Sequence, residues 1–219
     1  VITIVHLYPR ELGINGDVGN VMALRKRAEW RGAEVAVLDH EVGADLPAAA
    51  DIVHIGSGPV SAQHLVLDDL ARIAPTLRSW SADGVPFLAI AGGWQLLGRT
   101  LTLLDGSVVD GAGVLPTDAR LTPERTVGEV WRDDVAGFVN HGSVITTDGV
   151  PIADPVARFG ASIGTMLHGP FLPMNPRFAD ELLAVAAGRV GVELGAPDAR
   201  TAEVDERAAL SRQAIRSRL

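Results

Sequence analysis

Pro86-Phe-Leu-Ala-Ile-Ala-Gly-Gly-Trp-Gln-Leu-Leu-Gly98 decides how this chain folds. An apolar run ends in two glycines and restarts as an apolar, helix-like segment. That pattern builds a sharp strand-to-helix turn, which holds the apical side chain up at the edge of a sheet. Ala91 stands at the apex, where such turns present a nucleophile, and a methyl group can do no chemistry. Glycines just past the apex let the backbone turn and expose the following N–H as a donor to an oxyanion. A tight turn with glycine for close packing alone would read the same way.

The surroundings of the turn set the fold class. Val1–Leu7, Ala33–Leu38, Asp51–Ile55 and Pro86–Ala91 read as strands, with helical patterns over Val18–Arg31 and from about Ala62 to Ser81. Continuous apolar strands alternating with helices predict a mostly parallel central sheet with helices on both faces. Ligands of such folds bind beyond the carboxyl ends of the strands, so the loops after Leu7, Ile55 and Ile90 are the places to look. The second half carries shorter β-like pieces at Val127–Trp131, Ala136–Asn140, Ser143–Thr147 and Ile163–His168, expected to pair with or extend the main sheet. Helical patterning returns over Pro176–Ala187. Thr201–Leu219 has acidic residues early and arginines late, as suits the dipole of a solvated closing helix.

Bulk properties narrow the function. The 219 residues can form one domain spanning 1–219. A net charge of −8 argues against a nucleic-acid groove and an anionic membrane surface. No apolar run approaches the ~20 residues that span a bilayer, and the first residues lack the basic start of a signal peptide, so the expected location is the cytoplasm. With no cysteine there are no disulfides or thiolate metal sites. No Gly-x4-Gly-Lys-Ser/Thr loop or His-Glu-x-x-His pair occurs, and the six histidines are scattered, so no metal or cofactor is expected. Ser57, in the Gly56-Ser57-Gly58 turn, lacks the context of a hydrolase nucleophile. His168 follows a predicted strand, where a histidine can be a packed residue or a base drawn from a distant part of the chain. Arg125 is of the type that clamps a carboxylate with two hydrogen bonds, or decorates a surface.

Three separated motifs give the chain a family resemblance. Leu7-Tyr8-Pro9 followed by Asn15-Gly16-Asp17-Val18-Gly19-Asn20, then Ala91-Gly92-Gly93-Trp94-Gln95, then Gly164-Thr165-Met166-Leu167-His168-Gly169-Pro170 occur in the order found in class I glutamine amidotransferases. The chain is most similar to the cobyric-acid-synthase-like branch with GatD-type glutaminase subunits, over about residues 5 to 185. Gly137-Phe138 and Asn140-His141 fit that branch too. The resemblance implies a flavodoxin-like three-layer sandwich. It implies a glutaminase in which a nucleophile at position 91, with His168 as base, releases ammonia from glutamine through a thioester. Gly92 and the Gly56-Ser57-Gly58 loop would supply the oxyanion hole, Gln95 belongs to the nucleophile motif, and Arg125 would hold glutamine. The implied partner is a MurT-like synthetase of the Mur ligase family, forming a heterodimer that amidates D-glutamate of lipid II. A cobyric-acid-type subunit is the alternative acceptor branch.

The chain departs from the family pattern at four places. Ala91 replaces the cysteine, and Pro170 stands where many class I enzymes carry a triad glutamate. Ser57, Pro59 and Val60 alter the glycine loop, and Val139 replaces a common glutamate. A replaced essential cysteine and a natural non-catalytic subunit both fit Ala91.

Overall fold

The computed structural model describes residues 1–168 and 170–219. The chain opens with β1 (Ile2–Leu7), a short α1 (Pro9–Leu12), α2 (Val18–Trp30), β2 (Val35–His40) and β3 (Ile52–Ile55). A long α3 (Val60–Ala82) leads to β4 (Phe87–Ile90) and α4 (Gly92–Leu97). Every residue of β3 and β4 is buried, which is why they read as unbroken apolar runs. In α3 the buried residues Val66, Leu70, Ile73, Leu77 and Trp80 recur at helical spacing and form the face that meets the core.

Next come β5 (Thr100–Thr102), β6 (Val108–Asp110), β7 (Asp118–Arg132), β8 (Val135–Thr147), β9 (Val150–Pro151), β10 (Val156–Phe159), β11 (Ser162–Thr165) and β12 (Leu167–His168). The chain closes with α5 (Phe171–Met174), α6 (Pro176–Val190) and α7 (Ala199–Arg216). One sheet has the order β10-β11-β4-β3-β1-β2, parallel except where β10 pairs with β11. Leaving β1, the chain moves first toward β2 and then back past β1 to β3 and β4. With right-handed crossovers this reversal places α2 and α3 on opposite faces. The expected α/β architecture is therefore present, and element bounds in this half fall within two residues of the sequence reading.

The second half differs from expectation. Only β10 and β11 extend the main sheet; most other strands of this half build a separate sheet, β12-β8-β7-β5-β6, with antiparallel pairing except between β5 and β7. Ala136–Asn140 and Ser143–Thr147 are one strand, β8, running through Gly142. A Cβ there would lie 2.8 Å from the Thr122 carbonyl oxygen. The glycine thus marks close backbone approach at the register shift between Leu121 and Thr126, not a strand end. Asp133 and Asp134, both at positive φ, form the two-residue turn that joins β7 to β8.

Ile163–His168 is divided between the sheets. Its first residues pair with β4, and Leu167 and His168 pair with Val139 and Phe138. Thr165 marks the handover: its hydroxyl donates to the Pro155 carbonyl and accepts from the Leu167 N–H. The closing helix is exposed along most of its length, yet it is tied down. Buried Arg27 on α2 bonds Asp180 of α6 and Asp205 of α7, and Arg218 pairs with Glu129. Among the described residues no helix is long and apolar enough to cross a membrane.

Candidate active site

Ala91 has φ 43° and ψ −102°, a conformation that side chains rarely adopt and that costs on the order of 1–3 kcal/mol. Two bonds hold it there. Its N–H donates to the Thr165 carbonyl at 2.7 Å, and its own carbonyl accepts from Gln95 N at 3.0 Å. Gly93 lets the turn press onto β3, since a Cβ there would lie 2.5 Å from the Gly56 carbonyl oxygen. The elbow foreseen at residues 86–98 is therefore present, with Ala91 at its apex and only 3% exposed.

Three loops converge around the elbow. Gly92 N–H donates to Ser57 Oγ at 3.4 Å, placing the Gly56-Ser57-Gly58 turn beside the apex. Ser57 N–H donates in turn to Asp17 Oδ2 at 2.7 Å, from the start of α2. His168 lies three residues past Thr165, the residue whose carbonyl takes the Ala91 N–H. Its ring is buried, and Nδ1 has no hydrogen-bond partner among the described residues. Burial, followed by the nearby charge of His141, lowers its pKa, so the imidazole is neutral near pH 7 and able to accept a proton. His168 also borders a cavity of about 350 Å³ shared with Gly137, Phe138, Met174 and Ile215. Gly169, part of the histidine motif, lies outside the described residues.

The other candidates divide. Gln95 is buried with both ends of its amide bonded within the protein: Oε1 accepts from Gln63 Nε2 at 3.1 Å, and Nε2 donates to Ser143 Oγ at 2.9 Å. It ties the elbow to α3 and β8. Arg125 is exposed on β7 and donates to the Asn140 carbonyl at 3.2 Å and to Asn140 Oδ1 at 2.6 Å. Together with burial, its charge lowers the pKa of His141, so arginine and histidines form one electrostatic neighbourhood.

Sequence reasoning gave no role to Asp17 or Asn20. Asp17 is fully buried, and burial raises its pKa to about 7 against the single Ser57 N–H. Asn20 Oδ1 accepts from Leu172 N at 2.8 Å, holding α5 just beyond His168. Two polar residues three apart at a helix start are the available signal. Gln63 and Ser143 left no signal of their own.

Comparison with known proteins identifies the family. Residues 3–176 match the CobB/CobQ-like glutamine amidotransferase domain. The GatD subunit of lipid II isoglutaminyl synthase (glutamine-hydrolyzing) from Staphylococcus aureus strain N315 is 31% identical over 210 residues, covering 87% of this chain and 86% of that one. The corresponding Streptococcus pneumoniae R6 subunit is 27% identical over 208 residues, covering 84% and 80%. A cobyric acid synthase from Mycolicibacterium gilvum is 34% identical over 141 residues, 59% of this chain but only 28% of that protein. Among solved structures, a glutamine amidotransferase matches with TM-score 0.52 at 15% identity, over 84% of this chain and 98% of that one. The glutaminase domain of Trypanosoma brucei CTPS matches with TM-score 0.51 at 12% identity, over 88% and 95%; these likenesses bear on the fold alone. By the match over residues 3–176 and the 31% identity along most of its length, the chain belongs to the CobB/CobQ-like glutamine amidotransferases.

Proposed function

We propose that this protein is the glutaminase-type subunit of a two-component amidotransferase, paired with a MurT-like ligase that amidates D-glutamate of lipid II in the cytoplasm. The observation that carries the reading is the strained elbow at Ala91, bonded to the Thr165 carbonyl three residues before His168. A thiol at position 91 would give its proton to the neutral His168 ring and attack the side-chain amide carbon of glutamine. Gly92 N–H and the backbone of the Ser57 loop would take the negative charge on the amide oxygen. Arg125, freed from Asn140, would grip the substrate α-carboxylate. The Ala91 methyl forms no such bond, so the chain as written binds glutamine without cleaving it. The coverage of both GatD subunits supports the lipid II branch over cobyric acid.

The expected result is that Ala91→Cys, mixed with the ligase partner, releases ammonia only when glutamine is present, while the unaltered chain stays silent. Failure of the cysteine variant with its partner bound would overturn the glutaminase reading. It would favour a second one, a non-catalytic subunit on the same fold. The observation behind that alternative is local: Ala91 and Ser57 both depart from the family pattern, and the Ser57 hydroxyl sits on the Gly92 N–H.

A further inference from the structure

The start of α2 touches two segments that a glutamine site needs in fixed relation, the Ser57 loop and α5. Asp17 Oδ2 accepts the Ser57 N–H at 2.7 Å, and Ser57 Oγ accepts the Gly92 N–H at 3.4 Å. Three residues further along the same turn, Asn20 Oδ1 accepts the Leu172 N–H, four residues beyond His168. Asp17 and Asn20 are both 0% exposed, so bulk water does not compete for either bond. Asp17 Oδ1 and Asn20 Nδ2 have no partner among the described residues. Each side chain thus ties the first turn of α2 to a segment more than thirty residues away along the chain. One bond ends on the loop beside the elbow, and the other on α5, which follows His168.

We infer that Asp17 and Asn20 are positioning residues, a brace on one helical turn that sets the Ser57–Gly92 side of the site against the His168 side. Asp17 acts through Ser57 on the placing of the Gly92 N–H, which would turn from Ser57 Oγ to a ligand's carbonyl oxygen on binding. Asn20 acts through Leu172 on the chain leaving His168. Neither touches the ligand. The inference rests on the glutamine reading for its purpose, but the relay of bonds exists independently of it.

The test uses backbone-amide NMR on the full chain, followed by calorimetric titration with L-glutamine. Asp17→Ala removes the acceptor of the Ser57 N–H. The Ser57 and Gly92 amide signals are expected to move, Gly92 hydrogen exchange to quicken about three- to tenfold, and glutamine to bind about three- to tenfold more weakly, the scale of one hydrogen bond. Asp17→Asn keeps an oxygen acceptor and is expected to hold Gly92 exchange and glutamine affinity within about twofold. A melting temperature that falls in Asp17→Ala with the Gly92 amide unmoved would reduce Asp17 to a structural residue and overturn the inference. If Asp17→Ala does not fold, Ser57→Ala cuts the relay one bond later: Gly92 should move, and a still Gly92 signal overturns the inference. If Gly92 responds as expected but neither the parent nor any variant binds glutamine, the brace stands and the glutamine reading falls.

Discussion

Two buried carboxylates, Asp69 and Asp17, lie under neighbouring strand ends and live in opposite surroundings. Asp69 is met from every side: Tyr8 OH donates at 2.8 Å, Gly43 N–H at 2.9 Å, Arg72 at 2.6 Å, and His40 Nε2 lies at 2.8 Å. Burial pushes its carboxyl up, but His40, Arg72 and Tyr8 outweigh that and hold the pKa at about 2. Among the described residues Asp17 is met by one donor, the Ser57 N–H, and its Oδ1 has no partner; burial carries its pKa to about 7. The contrast separates a hub that holds the fold together from a group kept under-satisfied beside the elbow. A carboxylate met by several donors and a cation stabilises the fold, whereas one held by a single backbone N–H is free to serve the arrangement of the loops around it.

The largest effect expected from breaking this contrast lies on the satisfied side. Asp69→Ala strands Tyr8, His40 and the Gly43 N–H and should cost about 3–5 kcal/mol in urea unfolding. A loss under about 1 kcal/mol would show that the hub is not structural. Its pH dependence has a definite sign. The folded pKa is depressed, so the contribution of Asp69 is complete above its usual 3.8 and disappears as pH falls through about 2.

Asp17 should show the opposite sign. Its folded pKa is raised, so its neutral form supports the fold fully below about 3.8 and that support is lost as pH rises through about 7. Asp17→Asn cannot ionise and should therefore exceed the parent in stability by about 2–4 kcal/mol at pH 8, the gap closing toward pH 4. Parallel stability curves for the two proteins between pH 4 and 8 would show that Asp17 does not titrate in this range. The smallest effect on the fold is expected at Arg125. Being exposed and bonded only to Asn140, Arg125→Ala should shift unfolding by less than about 0.5 kcal/mol while weakening glutamine binding at least tenfold. Unchanged binding would remove Arg125 from the site.

How much of this could be read from sequence depended on the range of the interactions. The parallel half was legible because β1, β3 and β4 are buried on both faces, which forces runs of Ile, Val and Leu, and because two glycines announce the elbow. The antiparallel half is less legible where a glycine serves packing: Ala136–Asn140 and Ser143–Thr147 read as two pieces, although β8 passes straight through Gly142. The sharp division at Thr165, which gives one end of a predicted strand to each sheet, has no local signature. Of the site, Ala91 and the strand-end position of His168 were visible. The relay from Asp17 through Ser57 to Gly92 was not, because its two bonds span 40 and 35 residues and a single chain shows no long-range pairing.

Trp94 gives this arrangement a practical consequence. Its indole is 2% exposed, lies edge-on to Phe159 with ring centres 6.2 Å apart, and rests on Gly164, where a Cβ would be 2.5 Å from the ring. It therefore bridges the turn that bears Ala91 and the strand that continues to His168. That makes it a built-in optical probe: blue-shifted emission and a near-ultraviolet dichroism band assigned by comparison with Trp94→Phe would report any shift between those two segments, with no label attached to the protein.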